Sequence, residues 1–134
     1  HLDSYLAARQ TAAEYYNNTL KDVKGIIIPI VIKNSTATYH QYTLKIVDGE
    51  VVGKDGVSKR DALRAFLAEA GIPSMIYYPL PLQEQDAFKP ITREAEPLPI
   101  SKKLAYSVLS LPMHTELTHE IQDEVIGRVR EFFK

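Results

Sequence analysis

The chain has 134 residues, 45% of them apolar, which is enough for one domain with a core of its own. Basic and acidic residues nearly balance, 16 against 17 for a net charge of −1, with no block of like charge, so neither nucleic acid nor an anionic membrane is indicated as a partner. The absence of cysteine excludes disulfide scaffolds, thiolate zinc sites and thiol nucleophiles, and the longest apolar run, 25–32, is far short of the about 20 residues a membrane helix needs, so a cytoplasmic address is expected.

The N-terminus opens directly on an amphipathic pattern, with neither an initiator methionine nor a leader, and reads as an excised piece of something longer. Leu6, Ala13, Tyr16 and Leu20 recur at near-helical spacing and predict a helix from Asp3 to Leu20, with Asp3 or Ser4 placed to cap it. Residues 24–32 are β-branched but interrupted by Pro29, which has no amide for a ladder, so an extended and irregular segment is expected. Residues 36–47 alternate as a strand should, placing Thr38, His40, Tyr42, Leu44 and Ile46 on one face. Asp-Gly pairs then mark turns over 48–57.

Ser58, three residues before Asp61, opens a second helix that turns Ala62, Leu63, Phe66, Leu67 and Ala70 inward and stops at Gly71. Residues 72–78 predict a short strand, and the following "PLPLQEQDAF" a turn into one helical turn. Residues 89–99 read as a surface loop, 101–106 as a short helix and 107–111 as a short strand closed by Pro112. Thr118 caps a final helix with Ile121, Val125, Val129 and Phe132 on its inward stripe. This order gives an α/β chain, an α+β two-layer sandwich with helices on one face of a small, mostly antiparallel sheet.

The residues show no catalytic constellation. No glycine-rich phosphate loop follows a strand, Ser107 and Ser110 lack a nucleophile elbow, and no carboxylate pair has acid/base spacing. His114 and His119 lie five apart, and a metal site would need a third ligand that nothing supplies. Two features stand out. His40 and Tyr42 share a strand face that either packs inward or rims a site, and Tyr77-Tyr78 before Pro79 and Pro81 form either ordinary strand positions or a stiff aromatic wall for a polar ring ligand.

Four segments, "ARQTAAEYYNNTL" (8–20), "YHQYTLKI" (39–46), "SKRDALRAFLAEAGIPSMIYYPLPLQEQDAF" (58–88) and "LAYSVLSLPMHTELTHEIQDEVIGRVREF" (104–132), resemble in order and spacing the C-terminal domain of the DegT/DnrJ/EryC1/StrS family. The gap in the likeness lies mainly at 89–100. The resemblance implies the small domain of a fold-type-I aminotransferase that uses pyridoxal 5'-phosphate to turn a nucleotide-linked keto sugar into an amino sugar, with glutamate the expected donor. It further implies a homodimer in the parent protein, a role in surface polysaccharide, lipopolysaccharide or related sugar biosynthesis, residues 1–22 as an interdomain linking helix, and 23–134 as the small domain. The cofactor-binding large domain would lie outside this chain. None of the ten lysines matches the family's Schiff-base position, so the piece itself is expected to bind no cofactor and to be inactive.

His40, Tyr42, Tyr78, Gln83 and Gln85 are the candidate substrate contacts. Gln83 stands where many relatives carry a histidine near the nucleotide sugar, and it can donate and accept hydrogen bonds but cannot take a positive charge. The alternatives are a stand-alone, non-enzymatic binding or assembly domain, and a fragment of a family sugar dehydratase.

Overall fold

A computed structural model describes residues 1–54, 56–91, 93 and 98–134. Helix α1 spans Leu2–Leu20 and strand β1 Ile26–Ile27; strand β2 spans Tyr42–Ile46 and helix α2 Lys59–Glu69. After a 3-10 turn at Leu82–Glu84 come helix α3 at Pro99–Ser107, strand β3 at Val108–Leu111 and helix α4 at His119–Phe132. The surface loop expected over 89–99 lies partly outside the described residues.

The sheet is antiparallel throughout, in the order β1-β2-β3. Its register pairs Tyr42 with Leu111 and Leu44 with Leu109, so these residues share one face, while Thr43, paired with Ser110, and Lys45, paired with Val108, share the other. On the first face Tyr42, Leu44 and Ile46 are fully buried in one core cluster with Tyr16 and Leu20 of α1, Leu63 and Leu67 of α2, and Val125 and Val129 of α4. Helices α1 and α2 both pack on α4. The two-layer α/β arrangement expected from the sequence is therefore present, with α1, α2 and α4 covering one face of the sheet.

Local signals account for both ends of α2 and the start of α4. The Ser58 hydroxyl accepts from the Asp61 amide at 3.1 Å, Thr118 accepts from the Ile121 amide at 3.4 Å, and Gly71 ends the α2 segment at φ +74°. Four local expectations need correction. Asp3 and Ser4 lie inside α1, and the Ser4 hydroxyl donates to the His1 carbonyl rather than capping the helix. The strand predicted over 36–47 begins only at Tyr42, because Tyr39 adopts φ +46° and breaks the alternation; Thr38 and His40 are exposed instead of joining the core face. Residues 72–78 make no extended ladder; Met75 alone bridges Ser110, beside β3. On α4 the inward stripe holds at Val125, Val129 and the half-buried Phe132, but its first position fails: Ile121 is 45% exposed while Gln122 is fully buried, its amide donating to the Ala12 carbonyl of α1 at 2.8 Å. That hydrogen bond is what lets a polar side chain occupy the helix interface.

Candidate functional site

The second face of the sheet carries the features of interest. Here Thr43 and Ser110 share a hydroxyl hydrogen bond of 2.8 Å across the strands, and the Met75 segment adds backbone hydrogen bonds along the outer edge of β3. Two adjoining clefts open on this face, and Tyr77 lines both.

The first cleft, of ≈ 330 Å³, runs between the Tyr77-Tyr78 turn and α3, with Leu80, Pro81, Ser101 and Leu104 among its walls. The two tyrosine rings meet edge to face at 5.7 Å, across a cis peptide bond, and Tyr78 is 71% exposed. The far wall is held by three ties. Arg60, buried on α2, donates from Nη1 to the Ala105 carbonyl at 3.0 Å; Lys103 pairs with Glu50 at 2.9 Å; and Lys102 pairs with Glu84 of the 3-10 turn at 3.2 Å. The Glu50 carboxyl is held below its ordinary pKa by its own backbone amide and by Lys103, and Lys103 is raised in turn by Glu50. Asp61, 2.7 Å from Arg60 Nε, is lowered although burial opposes ionisation, because the Ser58 hydroxyl and Arg60 together outweigh that desolvation.

The second cleft, of ≈ 270 Å³, is walled by His40, Gln41, Met75, Tyr77, Met113 and His114. The antiparallel register explains how residues so distant in sequence meet there. With Tyr42 opposite Leu111, the residues just before β2 run beside those just after β3.

The candidate residues therefore separate. His40 and Tyr78 line the two clefts. Tyr42 does not: it has no exposed surface, its ring lies 4.8 Å from that of Tyr16, and its hydroxyl donates to Asn17 Oδ1 at 2.8 Å. Burial pushes its phenol pKa upward. Tyr42, expected as a substrate contact, is instead a core residue that lines neither cleft. Gln83 and Gln85 are half-buried on and just beyond the 3-10 turn, and neither is among the residues lining the two clefts. His114 was not singled out as a contact from the sequence, because only the strand pairing places it beside His40, and Tyr77 was offered only as part of the aromatic pair with Tyr78. His119 lies elsewhere, stacked on Tyr15 at 4.1 Å.

The Ser107 hydroxyl donates to the Lys103 carbonyl and that of Ser110 is shared with Thr43, so neither is paired with a base. No group of three potential metal ligands occurs among the described residues, and no helix among them is long and apolar enough to cross a membrane.

Comparison with known proteins gives this face its context. The DegT/DnrJ/EryC1/StrS aminotransferase family matches residues 1–130. The chain belongs to this family. The whole chain is 35% identical to a pleiotropic regulatory protein of Geobacillus stearothermophilus, covering 34% of that protein. Over 84% of its length it is 36% identical to a UDP-2-acetamido-2-deoxy-3-oxo-D-glucuronate aminotransferase of Pseudomonas aeruginosa, covering 27% of it. Among solved structures, DesV of S. venezuelae in complex with a ketimine intermediate superposes with a TM-score of 0.87 at 28% identity, over 100% of this chain and 33% of DesV. The chain thus spans about a third of the length of the family relatives it matches.

Proposed function

We propose that this chain is the C-terminal small domain of a pyridoxal-phosphate-dependent aminotransferase that converts a nucleotide-linked keto sugar into an amino sugar, with glutamate as amino donor. The observation that carries the reading is the family match across nearly the whole chain, on a third of the length of proteins several of which bear sugar aminotransferase names. In this reading residues 1–22 link the small domain to a cofactor-binding large domain, the parent is a cytoplasmic homodimer, and its product feeds lipopolysaccharide, surface polysaccharide or related sugar biosynthesis.

The cofactor, when bound, supplies an electron sink at the amine-bearing carbon and requires a lysine to hold it. The chain's own residues do not fit that demand. Among the described residues that line the two clefts on the open face of the sheet none is a lysine, and Lys59, in a hollow beside α2, lies over the Phe133 ring at 5.3 Å. What this chain contributes is a wall: Tyr78, stiffened by its flanking prolines, and the turn bearing Gln83 and Gln85, braced by the Lys102–Glu84 pair, lean over the sugar-nucleotide site and exclude water from one side of it.

The test is to read the gene upstream of the codon for His1 and assay its full product with UDP- and dTDP-linked keto sugars and glutamate. The expected result is glutamate-dependent amino-sugar formation by the full product and none by the 134-residue chain. A gene without a large domain and its Schiff-base lysine would refute the reading in favour of a stand-alone binding domain. Dehydration of the sugar in place of amination would assign the parent to the sugar dehydratases.

A further inference from the structure

We infer that a third cleft, formed by one face of α1 and the segment 31–39 that lies against it, binds a hydroxylated primary amine of the amino-sugar class. The ligand is read from the cleft alone; only its likeness to the product of the reaction rests on the function proposed above.

The cleft measures ≈ 350 Å³, near the lower end of the roughly 300–1,000 Å³ that small-molecule pockets span, so a single ring is the size it suits. Its α1 wall is Gln10, Glu14 and Asn17, which recur at intervals of four and three residues and so share one face of the helix. The opposite wall is tied down by Gln10, whose Nε2 donates to the Ala37 carbonyl at 3.2 Å and whose Oε1 is thereby the end left to accept. Asn17 is set in the opposite sense. Its Oδ1 accepts the Tyr42 hydroxyl at 2.8 Å, which leaves the amide nitrogen to donate.

Among the described residues lining the cleft, Glu14 is the only charged side chain, and among the described residues it has neither an ion pair nor a side-chain hydrogen bond. Arg9 and Lys33, the basic residues nearest in sequence, are not part of the lining. An anion therefore meets an uncompensated carboxylate, whereas an ammonium group finds its counter-charge. The Thr36 and Tyr39 hydroxyls each donate and accept, which suits a ligand whose other substituents are hydroxyls. Tyr39 is half-buried, and its ring lies 6.3 Å from that of the core residue Tyr42, so it offers a fixed aromatic surface to the apolar face of a sugar ring. A bare amine would satisfy Glu14 and leave the two amides and two hydroxyls unused, which is why the hydroxylated class is assigned.

Side-chain amides provide the probes and their own controls, since Gln10 and Asn17 line this cleft and Gln41 and Gln122 do not. Amide NMR signals of the 134-residue chain are followed during titration with glucosamine, glucose and methylamine. The expected result is movement of Gln10 and Asn17 with glucosamine at millimolar concentration, a much smaller response to glucose or methylamine, and none from Gln41 or Gln122. Glu14→Gln, at an exposed position, should raise the glucosamine dissociation constant about fivefold, the upper range for one exposed ion pair, and abolish the preference over glucose, while Glu124→Gln on the exposed face of α4 leaves both unchanged. No movement at millimolar glucosamine, glucose or methylamine acting as strongly as glucosamine, equal movement of all four amides, or a preference that survives Glu14→Gln would each overturn the assignment. The two readings fail separately: a full gene product that aminates nucleotide-linked sugars while glucosamine leaves Gln10 and Asn17 unmoved sinks this site alone, and glucosamine binding at the cleft without amination by that product sinks the aminotransferase reading alone.

Discussion

Replacing Tyr42 tests the division between core and site, because the sequence offers this residue to both. Its ring has no exposed surface and packs against Tyr16, while its hydroxyl spans to Asn17 on α1. Tyr42→Phe keeps the ring and removes one neutral hydrogen bond, for a cost of about 1 kcal/mol. Asn17 is only half-buried, so its freed oxygen can turn to water and the cost should not grow beyond that. Tyr42→Ala empties the ring's space at the centre of the sheet and should cost about 3–5 kcal/mol, a large share of the roughly 5–15 kcal/mol that holds an ordinary domain together. Urea unfolding followed by circular dichroism reads both. With a slope of about 2 kcal/mol per molar, Tyr42→Phe lowers the midpoint by about 0.5 M and Tyr42→Ala by about 1.5–2.5 M. A double-mutant cycle with Asn17→Ala should return a coupling of about 1 kcal/mol. The reasoning is refuted if Tyr42→Phe leaves the midpoint where it was and instead abolishes binding of the nucleotide-linked sugar by the full gene product, since the hydroxyl would then serve a ligand and not the α1 contact.

Three further outcomes follow from the same packing. Burial raises the phenol pKa values of Tyr16 and Tyr42, so their protons are held more tightly in the folded state; their contribution is complete below the unfolded value of about 10 and is lost as pH rises beyond it, at about 2.7 kcal/mol per pH unit for the pair, and a flat alkaline stability profile would contradict this. Asp61 has the opposite sign: its lowered pKa stabilises the fold above the unfolded carboxylate value, and the gain disappears as pH falls through the folded one. Ser58→Ala should therefore cost about 1 kcal/mol at neutral pH through the lost cap and lose less on acidification than the parent chain, which acid titration of both proteins would show. Ile121→Ala should change stability by less than about 0.5 kcal/mol, whereas Val125→Ala, four residues on and buried, should cost more than about 1 kcal/mol; thermal unfolding with equal losses for the two would restore the stripe expected from sequence.

Helix α2 was legible because every signal that forms it is local. Ser58 and Gly71 act within a turn of the residues they cap, and the inward set Leu63 and Leu67 follows from a period of 3.6. The 3-10 turn at Leu82–Glu84 was legible for the same reason, since the prolines before it forbid a ladder. Family membership was readable too, because four short motifs in a set order survive where no single motif is specific. The site was less so. The alternation around His40 is a good strand pattern, and nothing in its residue types announces that Tyr39 takes a left-handed backbone angle and turns His40 away from the core. The burial of Gln122 has no local signal, because its partner, the Ala12 carbonyl, belongs to a helix more than a hundred residues earlier.

Sequence alone thus determined the helices, the caps at Ser58 and Thr118, the irregular course around Pro29 and the family, all of which depend on neighbours within a few residues or on motif order. Tertiary structure alone decided that Tyr42 belongs to the core and that His40 and His114 share a cleft. Both follow from the pairing of Tyr42 with Leu111, and strand register is fixed by the burial of whole faces against distant helices, a sum over the fold that no local stretch of residues contains.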